Sequence, residues 1–337
     1  MDRGVRDNRW VLPALFVLLL AAAVSSLFIG RYPVSVPEAL GALLGGRRAG
    51  TDETVCRIMG ASRLPRVAAA LLAGSALSAA GASYQGIFKN PMVSPSLLGV
   101  SAGAGLGAAV GIVAGFGGVG VQGMAFGGGL LAVALVYGGS RMVSSKNDMT
   151  LSLVLTGVVV GSLFSSLIAL LKYLGDAYDD LPAITFWLMG SLAGITLRDA
   201  AITAVPVIAG IIGLCLVKWR MNIMTFSEEE ALAMGVDTRR MRGFVILCAT
   251  VITASVVSVC GTIGWIGLIV PHMARMLVGS DFWRSLPASI VLGALLMLLI
   301  DDVSRGLFAT AVPLGILTSI IGTPFFFYLL MKGKRSW

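Results

Sequence analysis

"LSLVLTGVVVGSLFSSLIALL", residues 151–171, runs for 21 residues without one charged side chain. At about 1.5 Å of rise per residue, a helix of that length matches the roughly 30 Å hydrocarbon core of a bilayer. Nine further windows read the same way: 11–29, 67–87, 97–115, 121–138, 200–217, 243–261, 263–278, 286–303 and 312–331, of which 263–278 is short. The whole chain agrees, with 57% hydrophobic and 12% charged residues against about 25% charged in soluble domains. Long apolar runs satisfy their backbone groups as helices, whereas a barrel would show short alternating strands. The expected fold is therefore all-α and polytopic, with about ten transmembrane helices.

The amino terminus, "MDRGVRDNRW" followed by "VLPALFVLLLAAAVSSLFIG", has the basic start and apolar run of a signal peptide, but the run is long enough to span and reads as the first helix. Lys and Arg at the N-terminus, 141–146, 218–242, 275–284 and in the tail "KGKRSW" fall on one side if both termini are cytoplasmic. The exception is 31–66, an external segment with six arginines, whose "VSVPEALGALL" reads as a short surface helix. The stretch 172–183, "KYLGDAYDDLPA", reads as an acidic external turn. The net charge of +8 is thus a matter of membrane orientation and implies no nucleic acid. Cysteines 56, 215, 248 and 260 have no paired spacing, so neither a disulfide framework nor a metal site follows.

Glycines 99, 103, 107, 111 and 115 repeat every fourth residue in the third span, a face suited to close contact with another helix. Gly81 and Gly261 each precede a proline, Pro91 and Pro271, by ten residues, a spacing that would fit a repeated, broken helix near a transport path.

Chemistry is sparse. His272 stands alone after Pro271, with no carboxylate, cysteine or second histidine to make a metal site or triad. "GVGVQG", 118–123, matches G-x-G-x-x-G but follows no strand, and no phosphate-binding G-x-x-x-x-G-K-[ST] exists, so any ATP is hydrolysed by another chain. Charge inside the spans is nearly confined to Asp301, Asp302 and Arg305 in "LLIDDVSRGL", where Asp301 and Arg305 are spaced to pair. An ion-coupled carrier, the reading from a different class, would scatter carboxylates through several spans.

One polar island interrupts the apolar chain: "TFSEEEALAMGVDTRRMRG", 225–243. Ser227 with Glu230 fits a capping box, Glu228 and Glu229 favour the positive helix end, and Gly235 can close the helix. Asp237 or Thr238 can cap a following turn from Arg239, which predicts two short cytoplasmic helices.

At this point the chain resembles the FecCD-type permeases of ATP-binding cassette importers for iron chelates, haem and cobalamin. The resemblance rests on "RLPR" (63–66), "GIFKNPMVSPSLLGVSAGAG" (86–105), "EEEALAMGV" (228–236), "GTIGWIGLIVPHMAR" (261–275) and "PLGILTSIIGTPFF" (313–326). It implies the type II ABC importer permease fold: a homodimer of ten-span subunits in a bacterial or archaeal cytoplasmic membrane, with the path along the dimer interface. It further implies two cytoplasmic ATPase subunits, which hold ATP and Mg, and an extracytoplasmic substrate-binding protein; this chain binds no cofactor. Ser227, Glu228, Glu229, Glu230, Ala231, Leu232, Met234, Gly235, Arg239 and Arg240 would then couple to the ATPase, Met234 standing where the family commonly has leucine. Arg63, Arg66 and Arg305 match arginines that, in the cobalamin member, meet glutamates of the binding protein. Asn90, Met92, Thr150 and Leu151 match the cytoplasmic gate, although Leu151 replaces a hydroxyl residue. The implied cargo is a ferric siderophore, with haem, cobalamin or a molybdate-type oxyanion as alternatives.

Overall fold

The computed structural model describes residues 10–44, 52–143, 149–306 and 311–333. The basic residues of segment 1–9, Arg47, Arg48, Lys146 and residues 334–337 lie outside these. In chain order the helices are α1 (Val11–Ser26), α2 (Val36–Leu44), α3 (Glu53–Ile58), α4 (Leu64–Ile87), α5 (Val100–Val113), α6 (Gly118–Val143), α7 (Met149–Leu174), α8 (Asp180–Met189), α9 (Leu197–Ile223), α10 (Glu228–Ala233), α11 (Thr238–Cys260), α12 (Ile266–Val278), α13 (Phe282–Gly306) and α14 (Leu314–Gly333). Among the described residues, six stretches are long and apolar enough to cross a membrane: Glu53–Ile87, α6, α7, α9, α11 and α13. Four shorter apolar helices, α1, α5, α12 and Leu314–Leu329 of α14, fall on the remaining expected windows.

Helix α4 is the centre of the bundle. Its apolar window is 78% buried, against 22% for α7 and 28% for α6 at the periphery. The reason is the near absence of side chains along "AAALLAGSALSAAGAS", which lets neighbouring backbones touch it. A Cβ on Gly74 would lie 2.1 Å from the Gly293 carbonyl oxygen of α13, and one on Gly81 only 1.8 Å from that of Gly267 on α12. The glycine repeat of α5 works in the same way: Gly103 and Gly107 meet the backbone of α6 at Gly128 and Met124, and Gly111 meets Val121. The flanking Gly99 and Gly115 instead take positive φ, +79° and +70°, at the helix ends.

Between α4 and α5 the chain is mostly non-helical, with a 3₁₀ turn over Pro95–Leu98. Backbone of this kind is tolerated at membrane depth only where protein covers it. Here Leu98 is fully buried, and Pro95 packs where a side chain on Gly267 would otherwise stand.

Segment 53–63, for which the sequence suggested no element, is helical, running through α3 and a π-helical turn (Met59–Arg63) directly into α4. Three expectations are corrected. The stretch 172–183 is not one turn: α7 continues to Leu174, and α8 starts at Asp180 with Pro182 in its first turn, where a proline costs little. The second short helix after Gly235 is the opening of α11, because nothing after Arg239 breaks the hydrogen-bond ladder into the span. The Gly81/Pro91 and Gly261/Pro271 spacings are not a structural repeat: Gly81 is mid-helix and Pro91 beyond the helix end, whereas Gly261 caps α11 and Pro271 is inside α12.

Replacing Gly81 by leucine should prevent α4 and α12 from seating, since overpacking a closed contact costs about 1–3 kcal/mol or more. The expected outcome is loss of monodisperse protein in detergent chromatography, while Gly117→Ala, at a glycine with open space around it, leaves the profile unchanged.

Candidate functional site

The polar island forms a rigid projection. The Ser227 hydroxyl accepts the Glu230 N–H at 3.2 Å, and the Ser227 N–H donates to the Glu230 carboxylate at 2.9 Å, the reciprocal capping box. At the other end of α10, Val236 N–H reaches the Ala231 carbonyl and Gly235 N–H that of Leu232, both at 2.9 Å, with Gly235 at φ +80°. This Schellman closure places Val236 against Ala231, both buried. Asp237 then caps α11 by accepting the Arg240 N–H at 3.0 Å.

Two contacts tie the projection to the bundle. The nearly buried Arg242 of α11 pairs with Glu228 at 2.9 Å, and Lys89, just past the end of α4, donates to the Phe226 carbonyl. Anchored in this way, the segment exposes Phe226 (52%), Leu232 (67%) and Met234 (45%), together with Glu229, Arg239 and Arg240. The Ser227 N–H and hydroxyl hold the Glu230 carboxyl below the usual glutamate range. The box's contribution is accordingly full above that range and is lost as pH falls through the lowered value.

The candidate arginines lie at the opposite end of α4 and are drawn together. Arg63, 3% exposed, donates to the carbonyls of Leu27 and Tyr32. Arg66 holds Asp301 Oδ1 through Nη2 at 2.6 Å and Nε at 3.2 Å. Arg305 donates to Asp302 and to the carbonyl of Ser26 at 2.7 Å, and its Nε stands 3.5 Å from Asp301 Oδ2. The Ser26 hydroxyl completes the cluster on Asp302 at 2.7 Å. Arg31, Arg63, Arg66 and Arg305 line one cavity of about 300 Å³ with Ser62 and Tyr32. Asp301 and Asp302 pair with Arg66 and Arg305, whereas the Arg63 guanidinium is held by backbone carbonyls that carry no charge to offset it, which leaves the cluster cationic.

The spacing of Asp301 and Arg305 led sequence reasoning to their mutual pair, but Asp301's close partner is Arg66 on another helix. A buried carboxylate needs a cation, and no local pattern says which helix supplies it. The roles of Lys89 and Arg242 were missed for the same reason. For Lys89 the faint signal is a residue forced to φ +49° just after a helix end.

Of the gate candidates, Asn90 accepts the Met92 N–H at 2.9 Å in the loop after α4, while Thr150 and Leu151 open α7. Met92 and Leu151 are both half exposed, at 50% and 55%. Among the described residues no hydrogen bond joins Asn90 or Met92 to Thr150 or Leu151. Also among the described residues, no group of three or more His, Cys, Asp or Glu could hold a metal ion.

The chain is thus a polytopic helical bundle with a charged cluster at one end of α4 and a capped, apolar-tipped projection at the other. The chain belongs to the FecCD transport family, whose sequence model matches residues 18–332. It is 38% identical over 330 residues to the molybdate import system permease protein MolB of Haemophilus influenzae, covering 97% of this chain and 96% of that one. It is 39% identical over 272 residues to a Helicobacter pylori protein named "Probable iron chelatin transport system permease protein", covering 81% and 82%. Among solved structures it is similar to an ABC transporter described as of metal-chelate type in an inward-facing conformation, with a TM-score of 0.87, 37% identity, and coverage of 96% of this chain and 99% of that one. As in its family, this chain is the transmembrane permease component of an ABC-type importer and not an enzyme, and ATP is hydrolysed on a separate ATPase subunit.

Replacing Asp301 by asparagine strands Arg66 in the interior and should cost about 3–5 kcal/mol. Arg66→Met combined with Asp301→Leu should recover most of that loss. Thermal unfolding in detergent separates the cases, and equal destabilisation by both would mean that the pair is not what holds α4 to α13.

Proposed function

We propose that the chain is one protomer of a homodimeric, ten-span permease that carries a ferric siderophore or similar metal chelate inward, with both termini cytoplasmic. The observation that carries this reading is the projection on α10. Its backbone is fully capped and its base is anchored by Arg242 and Lys89, yet it leaves three large apolar side chains in the open. Exposed apolar groups on a stiff support are suited to a protein groove, and the partner is an ATPase subunit that holds ATP and Mg. Ser227, Glu228, Glu230, Ala231 and Gly235 build the projection, whereas Glu229, Leu232, Met234, Arg239 and Arg240 present its contact surface.

At the opposite end, the cationic cavity receives carboxylates of an extracytoplasmic binding protein, with Arg63, Arg66 and Arg305 supplying the charge. Guanidinium groups suit this because they bond carboxylates in a fixed, bidentate geometry. Met92 and Leu151, with Asn90 and Thr150, form the cytoplasmic gate, where apolar side chains close a pore by expelling water. The Helicobacter relative's name and the metal-chelate transporter support a chelate as cargo. A molybdate-type oxyanion is the second reading, favoured by the match to MolB along nearly the whole chain.

The test is uptake into proteoliposomes. Ferric chelate should accumulate only with ATP, the ATPase and the binding protein present. Accumulation by this chain alone under a proton or sodium gradient would overturn the permease reading, and uptake of molybdate but no ferric chelate would select the second cargo. Leu232→Glu with Met234→Glu should weaken ATPase association by about 30-fold or more, as for the loss of a central apolar anchor worth about 2 kcal/mol. Ser227→Ala, which removes a cap worth about 1 kcal/mol, should have a smaller effect. Co-purification of the ATPase with each variant reads the difference.

A further inference from the structure

The charged cluster and the projection leave one membrane-spanning face unexplained. Along α7 the residues at 151, 155, 158, 162, 165, 169 and 172 follow a helical stripe of alternating three- and four-residue steps. The stripe begins apolar, with Leu151, Leu155 and Val158 all more than half exposed. It then becomes polar, with exposed Ser162 and Ser165, and ends at Lys172.

The polar half is not a flat surface. A cavity of about 530 Å³ is lined by Ser96, Ser101, Ser165, Lys172 and Thr262, among others. A second, of about 500 Å³, shares Ser96 and Ser165 and adds Ser162. A third, of about 430 Å³, shares Leu188 and Thr262 with the first and reaches Ser319 on α14. The three form one groove, and Lys172 is the only charged residue among their described linings.

Lipid does not suit this face. Among the described residues the hydroxyls of Ser162 and Ser165 make no hydrogen bond and Lys172 makes no salt bridge. In hydrocarbon each such group would cost free energy with nothing to offset it, whereas groups of this kind are normally found facing water-filled paths. Of the carboxylates that follow Lys172, Asp176 accepts the N–H groups of Tyr178 and Asp179 at 2.7 and 2.9 Å and Asp180 accepts that of Asp176 at 2.9 Å, and neither they nor Asp179 line the groove.

We propose that this groove is the outer, anion-selecting half of the translocation path, with Lys172 as its fixed cation and the serine and threonine hydroxyls as its hydrogen-bonding wall. The inference rests on the permease reading and narrows its cargo to negatively charged species rich in oxygen acceptors, such as anionic ferric chelates or oxyanions. Neutral chelates gain nothing from Lys172. The polarity change at Val158 marks where the selecting part of the stripe gives way to the part that closes.

The experiment uses the full importer in proteoliposomes, with Cys56, Cys215, Cys248 and Cys260 replaced by alanine and a single Ser165→Cys introduced; Ser162→Cys serves as the second position should the first not assemble. The probes are an anionic and a cationic methanethiosulfonate of similar size, added from the binding-protein side, and the readout is the ratio of their labelling rates after correction for each reagent's rate with a free thiol. The expected ratio favours the anion about tenfold, the effect of one unit charge lining the same partly screened cavity. Lys172→Gln should abolish the preference and Lys172→Glu reverse it. Absence of labelling by either reagent at both positions would mean that the face is sealed against lipid or another helix, and labelling with no dependence on residue 172 would remove Lys172 from selection. Either result overturns the inference while leaving the uptake test of the permease reading untouched, because labelling needs no transport.

Discussion

Where α4 crosses α13 and α12, the separation is set by backbone atoms alone. Gly74 faces Gly293 and Gly81 faces Gly267, so no side chain intervenes at either crossing. Lipid tails are as apolar as leucine, so a membrane helix gains little from hiding leucines and must gain its stability from close packing instead. That constraint explains why the most buried helix of the molecule is also among the poorest in large side chains. It also explains why large residues collect on helices such as α7, which the protomer leaves largely uncovered.

A helix held so closely behaves as a rod, and both ends of this rod are wired. At one end Arg66 binds Asp301 of α13, and Arg305, whose Nε faces the same carboxylate, brings in α1 through the Ser26 carbonyl. At the other end Gln85 accepts from Arg275 of α12 and donates to the Leu268 carbonyl, and Lys89 holds the Phe226 carbonyl in front of α10. The projection is thus tied to α4 through Lys89 and to α11 through the Glu228–Arg242 pair, so the proposed ATPase contact would act on both helices. Packed elements of this kind shift as units between discrete arrangements, which is what connecting two membrane sides requires.

How legible this was depended on how local the cause was. The apolar windows, the capping box at Ser227, the αL closure at Gly235 and the close-contact face of α5 follow from residues a few positions apart, and all could be read directly. Where one residue had to signal a long-range partner, reading failed. "RLPR" did not reveal that Arg66 pairs with Asp301, 235 positions away. Nor did "DDLPAITFWLM" announce α8, since Asp-Leu-Pro reads as a turn until Ile184 is seen packed beside Ala109 and Ile168. The Gly/Pro spacing failed in the opposite sense, by suggesting a symmetry that packing does not use.

The distribution of polarity follows from the same division between filled and open faces. Inside the protomer the buried carboxylates Asp301 and Asp302 each have a guanidinium within 4 Å, as burial demands. On the open face of α7, Lys172 and two serines stand without such partners, in a chain that elsewhere spends a whole cluster to neutralise two carboxylates. Their cost is offset where water or a passing ligand completes them, as the proposed path along this face would require.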